Sequence, residues 1–190
     1  MDVITTHVNA DFDCLGAMVA ASKLYPDALM VFSGSQEKSM RDLFLKTTGY
    51  ALPFTRLKDV DFSDITRLVL VDCQHTSRIG RFAEVARRPG VEVHIYDHHP
   101  ASDEDVKGRM EVVEEIGATV TMLIREIRKR GLEVNSEEAT IMALGIYEDT
   151  GQFTFPSTTA QDMEAAAWLL ERGANLNTVA DMMTIDLSRD

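Results

Sequence analysis

The chain has 190 residues, 45% of them hydrophobic and 26% charged, which suits one folded domain and excludes a disordered or low-complexity protein. Its net charge of -12 works against tight, salt-driven binding of long nucleic acid, because that affinity comes mostly from Lys and Arg neutralising phosphates. No apolar run approaches the roughly 20 residues of a membrane span, and Met1-Asp2-Val3-Ile4 is neither a basic nor a cleavable leader, so a cytoplasmic location without membrane contact is expected.

Short runs rich in Val, Ile and Leu alternate with segments of helical period, which predicts an α/β fold with a mostly parallel sheet and helices on both faces. In chain order, Val3-Ile4-Thr5, Ala28 to Phe32, Leu68 to Val71 and Val91 to Tyr96 read as strands, with an edge strand near Met110 to Val113. Helical stripes follow at Val120, Leu123, Ile124, Ile127, then at Ala139, Met142, Ala143, Ile146, and again at Met163, Ala166, Ala167, Leu170; each is predicted to face the core. Ser136 with Glu138, and Thr159 with Asp162 before Gly173, supply helix start and stop signals. Cys14 and Cys73 show no CxxC spacing and read as small buried fillers.

Four places put Asp or His at the end of an apolar run: His7-Val8-Asn9-Ala10-Asp11-Phe12-Asp13, Val71-Asp72, Asp97-His98-His99 and Glu148-Asp149-Thr150-Gly151. The carboxyl ends of parallel strands line one crevice, so the first three groups should converge there, and the fourth must reach it from the end of a helix. Taken singly, each has a structural explanation: Asp13 could cap the helix that follows it, Asp72 could cap a turn, and a His pair is commonly a surface feature. His94, inside a strand, and His75, in a polar loop, read as structural. Jointly the four groups favour chemistry, because crowded carboxylates repel one another unless cations sit among them. Two divalent ions balance four aspartates. Such a pair can share a carboxylate and lower the pKa of bound water, and mixed imidazole and carboxylate donors favour manganese over magnesium.

In order, type and separation these motifs resemble those of the DHH phosphoesterase family, including Asp97-His98-His99 and the later Asp149-Thr150-Gly151-x-Phe153, over the whole chain. The resemblance implies a three-layer catalytic domain over residues 1–190 whose metal ligands are His7, Asp11, Asp13, Asp72, His98 and Asp149. One ion would take His7, Asp11 and Asp72; the other would take Asp13, Asp72, His98 and Asp149, with Asp72 as the bridge. The catalytic residues implied are Asp72, Asp97 and His99, with Asp97 orienting a metal-ligand histidine and His99 contacting the substrate phosphate. Phe12, Ala17 and Glu148 depart from residues common in the family, but none replaces a ligand. The family's C-terminal substrate domain, with its Gly-Gly-Gly-His type motif, is not found here. The N-terminal stretch resembles bacterial chains in which this domain precedes CBS modules and a tRNA-nucleotidyltransferase-like region, so downstream domains of the same polypeptide are expected as partners.

The expected activity is metal-dependent hydrolysis of a small phosphoester or phosphoanhydride by two-metal catalysis: a short oligonucleotide, nucleoside bisphosphate, cyclic dinucleotide or pyrophosphate. The cofactors expected are two divalent ions, manganese first, with magnesium or cobalt as substitutes, and a homo-oligomer is compatible with all of this. Arg78, Arg81, Arg125 and Arg128 are candidate phosphate contacts or solvated helix charges. The competing readings are a regulatory metal- and nucleotide-binding module with little turnover, and a mononuclear metal hydrolase of another fold.

Overall fold

The structure, a computed structural model, describes residues 1–38, 40 and 52–187. Five strands form one sheet in the order β2-β1-β3-β4-β5: β1 (Asp2–Thr5), β2 (Leu29–Met30), β3 (Arg67–Val71), β4 (Glu92–Asp97) and β5 (Met110–Val113). Every pair is parallel, as the apolar runs predict. The strands alternate between two apolar faces. Ile4, Val69, Val71 and Tyr96 join one buried cluster, and Val3, Leu68, Leu70, Val93 and Ile95 join the other. A strand buried on both sides needs apolar residues at both parities, which is why these runs lack a polar alternation.

The helices lying wholly within the described residues are α1 (Phe12–Leu24), α2 (Phe82–Ala86), α3 (Thr119–Arg130), α4 (Ser136–Asp149), α5 (Ala160–Glu171) and α6 (Leu176–Leu187). The two sheet faces are covered unequally. α1, α3 and α4 build the large cluster, whereas the other face is closed by short α2 and by single turns that bring Phe62 and Ile65 onto Phe82 and the strands. β2 is shorter than the predicted Ala28 to Phe32, and Phe32 instead stacks on Phe54 with centroids 4.6 Å apart.

Two helix expectations need correction. α4 starts one residue earlier than Ser136 suggests as a cap: Asn135 is the cap, accepting from Glu137 N and Glu138 N while Glu138 returns to the Asn135 backbone. The stripe Met163, Ala166, Ala167, Leu170 is not the core face of α5, since Met163 and Leu170 are about half exposed and Asp162, Ala165, Trp168 and Leu169 are buried. Asp162 sets that rotation. Its buried carboxylate caps α5 through Thr159 and also accepts from Gly117 N and Thr121 Oγ1, so the helix turns that edge inward together with Trp168. The alanines make the other stripe look equally apolar in sequence.

Candidate metal centre

After β1 the chain crosses to β2 on one side, then to β3 on the other, so the carboxyl ends of β1 and β3 flank the switch point of the sheet, where ligands bind in open α/β folds. His7 follows β1 and Asp72 follows β3, and they face each other across it with Nε2 to Oδ2 at 3.5 Å. β4 lies next to β3 and delivers His98 on the other flank of Asp72, with Nε2 to Oδ1 at 3.4 Å. Thus the two oxygens of one buried carboxylate face two imidazoles. Asp72 has φ +55°, a left-handed conformation that Asp and Asn tolerate better than other side chains, and Thr119 Oγ1 donates to its Oδ1 at 3.0 Å.

The remaining groups come from helix ends. Asp11 caps α1 by accepting from Cys14 N at 3.0 Å, leaving Oδ2 3.7 Å from His7 Nε2. Asp13 is not that cap. It lies in the first turn of α1, fully buried, and its carboxylate accepts from Thr119 N and Val120 N at 2.8 and 3.2 Å. It thereby satisfies the N-terminus of α3, whose own cap position, Ala118, has no side-chain acceptor. Asp149 is the last residue of α4 and reaches His98 Nε2 at 3.0 Å. Gly151 makes the turn beyond it possible, with φ +53° and the Phe155 ring where a Cβ would stand. Glu148 accepts from Phe12 N at 2.7 Å and so ties the end of α4 to the ligand-bearing start of α1. The six predicted ligands therefore converge.

Each histidine is oriented through its other ring nitrogen. His7 Nδ1 donates to Val8 O at 2.7 Å and His98 Nδ1 donates to Ile116 O at 3.0 Å, leaving both Nε2 atoms for the centre. This corrects the role given to Asp97, which bonds His99 at Nδ1 (2.7 Å) and at its backbone N (3.2 Å), not the metal-site histidine His98. His99 is half-buried, and its remaining nitrogen is free of that bond. A cavity of 220 Å³ beside it is lined by Gln74, His75, Arg78 and Ser102 among others. Of the candidate arginines, only exposed Arg78 lines this cavity: Arg125 pairs with Glu114 and Gln161, Arg81 lies over the Phe62 ring, and Arg128 is exposed at the end of α3. His94 and His75 are structural, held by Tyr25 and Glu92 and by Ser77 and Glu104.

The electrostatics are those of a cluster short of positive charge. Burial pushes Asp13 up, with Asp72 and Asp149 adding, and burial likewise raises Asp149. Burial acts to raise Asp72 too, but the facing His7 and His98 outweigh it and hold this carboxylate well below the usual range. His98 is pushed up to about 12, because Asp149 and Asp72 outweigh the opposing burial. The surrounding carboxylates thus favour positive charge at His98. Its Nε2 is buried and finds no in-line hydrogen bond despite the short distance to Asp149. Two donor sets, His7/Asp11/Cys14/Asp72 and Asp13/Asp72/His98/Asp149, each keep their ligand atoms within 4.8 Å of one another. Ligands about 2.0 to 2.3 Å from one ion lie within such a span, so the residues present fit a metal at each position. Cys14 is the member that sequence reasoning missed: its position one residue after Asp13 was the available signal, and it was read as core filling.

A model of the DHH family, N-terminal domain, matches residues 3–146. An A-adding tRNA nucleotidyltransferase of Geobacter sulfurreducens is 75% identical over 190 residues, covering 100% of this chain and 22% of that protein. The bifunctional oligoribonuclease and PAP phosphatase NrnA of Bacillus subtilis is 25% identical, covering 89% of this chain and 52% of its own length. The crystal structure of an exopolyphosphatase-related protein from Bacteroides fragilis superposes with a TM-score of 0.76 at 21% identity, over 95% of this chain and 55% of the other. The chain therefore spans about a fifth of one of these curated relatives and about half of the other.

Proposed function

The chain belongs to the DHH family, and we propose that it is a metal-dependent phosphoesterase domain that hydrolyses a small phosphoester or phosphoanhydride at the centre around Asp72. The observation that carries the reading is the pair of contacts made by Asp72, one oxygen toward His7 and the other toward His98, which is the arrangement a bridging carboxylate needs. Two divalent ions held there would lower the pKa of a water molecule and neutralise phosphoryl oxygens. The protein side chains supply the rest. Asp97 fixes the His99 ring so that its outer nitrogen meets a phosphate oxygen, and Arg78 adds positive charge on the same side. A short nucleotide or pyrophosphate-like group suits this reading better than long nucleic acid, given the net charge of -12. The relatives' lengths support action as one domain of a longer polypeptide.

The test is hydrolysis of bis-p-nitrophenyl phosphate by chelator-treated protein before and after loading with manganese, alongside metal analysis. Two bound ions per chain with product release only in the loaded sample is the expected result. A single ion at saturation points to a mononuclear hydrolase instead. The regulatory-module reading draws on the 75% identity to a protein with a nucleotidyltransferase activity of its own, and it requires two ions bound with no release of product from any phosphoester offered.

A further inference from the structure

We propose that Cys14 is a sulfur ligand at the His7 side of the centre, so that the two metal positions differ in kind and this one prefers zinc or cobalt to manganese. The inference rests on the metal-centre reading above. A cysteine that only fills space turns its sulfur toward carbon, as a small hydrophobe does. Cys14 Sγ instead lies 3.1 Å from His7 Nε2 and 3.3 Å from Asp72 Oδ2, and it accepts a hydrogen bond from Thr6 Oγ1 at 2.8 Å. The side chain is fully buried, so no water takes up those directions.

The distances have the size of the edges of a coordination tetrahedron. Donors about 2.0 to 2.3 Å from a common ion at tetrahedral angles are separated by roughly 3.3 to 3.8 Å. Around His7 Nε2 the other three donors stand at 3.1 Å (Cys14 Sγ), 3.5 Å (Asp72 Oδ2) and 3.7 Å (Asp11 Oδ2), which needs only small adjustments to meet that range. The position is also held in place from behind: Cys14 N donates to Asp11 Oδ1, fixing cysteine and aspartate in one turn of α1. At the second position Asp13, Asp72, His98 and Asp149 provide only oxygen and nitrogen.

The chemistry of the step is a proton exchange. The metal–sulfur bond forms as the S–H bond breaks, and the proton passes to solvent with no change of oxidation state. Thiolate favours zinc and cobalt, whereas carboxylate and imidazole alone are content with manganese. A mixed zinc–manganese or cobalt–manganese occupancy follows, with the softer ion beside Cys14.

Cobalt(II) provides the readout without any activity measurement. Added to metal-free protein, it should give visible d–d bands from the centre and a near-ultraviolet sulfur-to-cobalt charge-transfer band. The charge-transfer band should vanish in Cys14→Ala while d–d bands persist, and should survive in Cys73→Ala, the control for the other thiol. Cys14→Ala should also lower the preference for zinc over manganese by at least the ~10-fold that loss of even an orienting partner costs a metal site. If the charge-transfer band is absent from the unsubstituted protein while cobalt is bound, or unchanged in Cys14→Ala, the sulfur ligand is wrong and the centre stands. If no cobalt binds at all, the centre itself is wrong. Cys14→Ser, which keeps the size and the Thr6 hydrogen bond, separates ligand loss from packing loss: it too should lack the charge-transfer band.

Discussion

At the scale of single residues, Asp72 combines the proposed role of a bridging carboxylate with a left-handed backbone at φ +55°. Alanine there would add backbone strain to the loss of the carboxylate, so Asp72→Asn is the cleaner variant, since Asn shares the conformational tolerance. It should fold and lose most of its bound metal, as metal analysis of the purified variant would report. His99→Ala should keep its metal and lose about 100-fold or more in turnover, if His99 has the substrate-contacting role proposed for it. Glu148 gives a pH effect. Burial, helped by Asp11, pushes its carboxyl up to about 8. A folded-state pKa above the unfolded one means the folded form holds a proton that the unfolded chain releases. The associated stability is complete below the ordinary glutamate pKa of ~4.3 and is lost as pH rises toward 8. Glu148→Gln keeps an acceptor for Phe12 N and removes this slope, so the metal-free variant should gain melting temperature over the parent at pH 8 and not at pH 4. These residues were unequally legible in sequence. The convergence of the candidate ligands could be read because Asp and His stand at the ends of apolar runs, where the fold brings chain segments together. The partner of Asp97 could not, since adjacent histidines differ only in which way their side chains turn. Cys14 is buried as expected, but its place beside His7 and Asp72 was not legible, because its surroundings are not visible until the helix is placed.

At the scale of elements, the ligand-bearing start of α1 is positioned by close contact with α4. A Cβ on Gly145 would meet Asp13 Cα at 2.9 Å, Phe12 O at 3.0 Å and Val120 Cγ2 at 3.0 Å. Gly145→Ala should therefore cost about 1 to 3 kcal/mol, as overpacking does, and also weaken metal binding, because the backbone that must move carries Asp13. Titration calorimetry with manganese beside a denaturant melt checks both effects. The caps of α4 and α5 should differ in weight. Asn135→Ala removes an exposed cap and should cost about 1 kcal/mol. Asp162→Ala also strands Gly117 N and Thr121 Oγ1 in the interior, and should cost at least about 3 kcal/mol. Urea midpoints of the two variants decide it. The same carboxylate explains why the face of α5 was misjudged from periodicity: alanines count as apolar on either side of a helix, while a single buried Asp fixes the rotation and reads in sequence as an ordinary capping residue. The strand segments, their parallel arrangement and the long helices of the C-terminal half were legible because both sheet faces demand apolar residues and the helices demand their own period.

At the scale of the molecule, a net charge of -12 with carboxylates gathered at one crevice makes bound cations a folding term. At a free concentration 100 times its Kd, each ion should stabilise by about 2.7 kcal/mol, or roughly 5 to 10 °C in Tm for a chain of this size. Calorimetric scans with and without manganese measure it, and an unchanged Tm at saturation would contradict the assigned ligands. The centre draws its donors from His7, near the first strand, to Asp149, at the end of α4, and the parallel sheet between them is closed only by crossovers. A chain leaving the ribosome thus presents His7, Asp11 and Asp13 long before Asp149 is synthesised, so the two positions together are not complete until most of the chain has been made. The ions then arrive after the folding barrier and act on escape from the native state: manganese in the refolding buffer should leave the folding limb of a chevron plot unchanged and slow the unfolding limb. In a cell the same order would make metal supply govern how long each finished molecule lasts, with little influence on how many molecules reach the folded state.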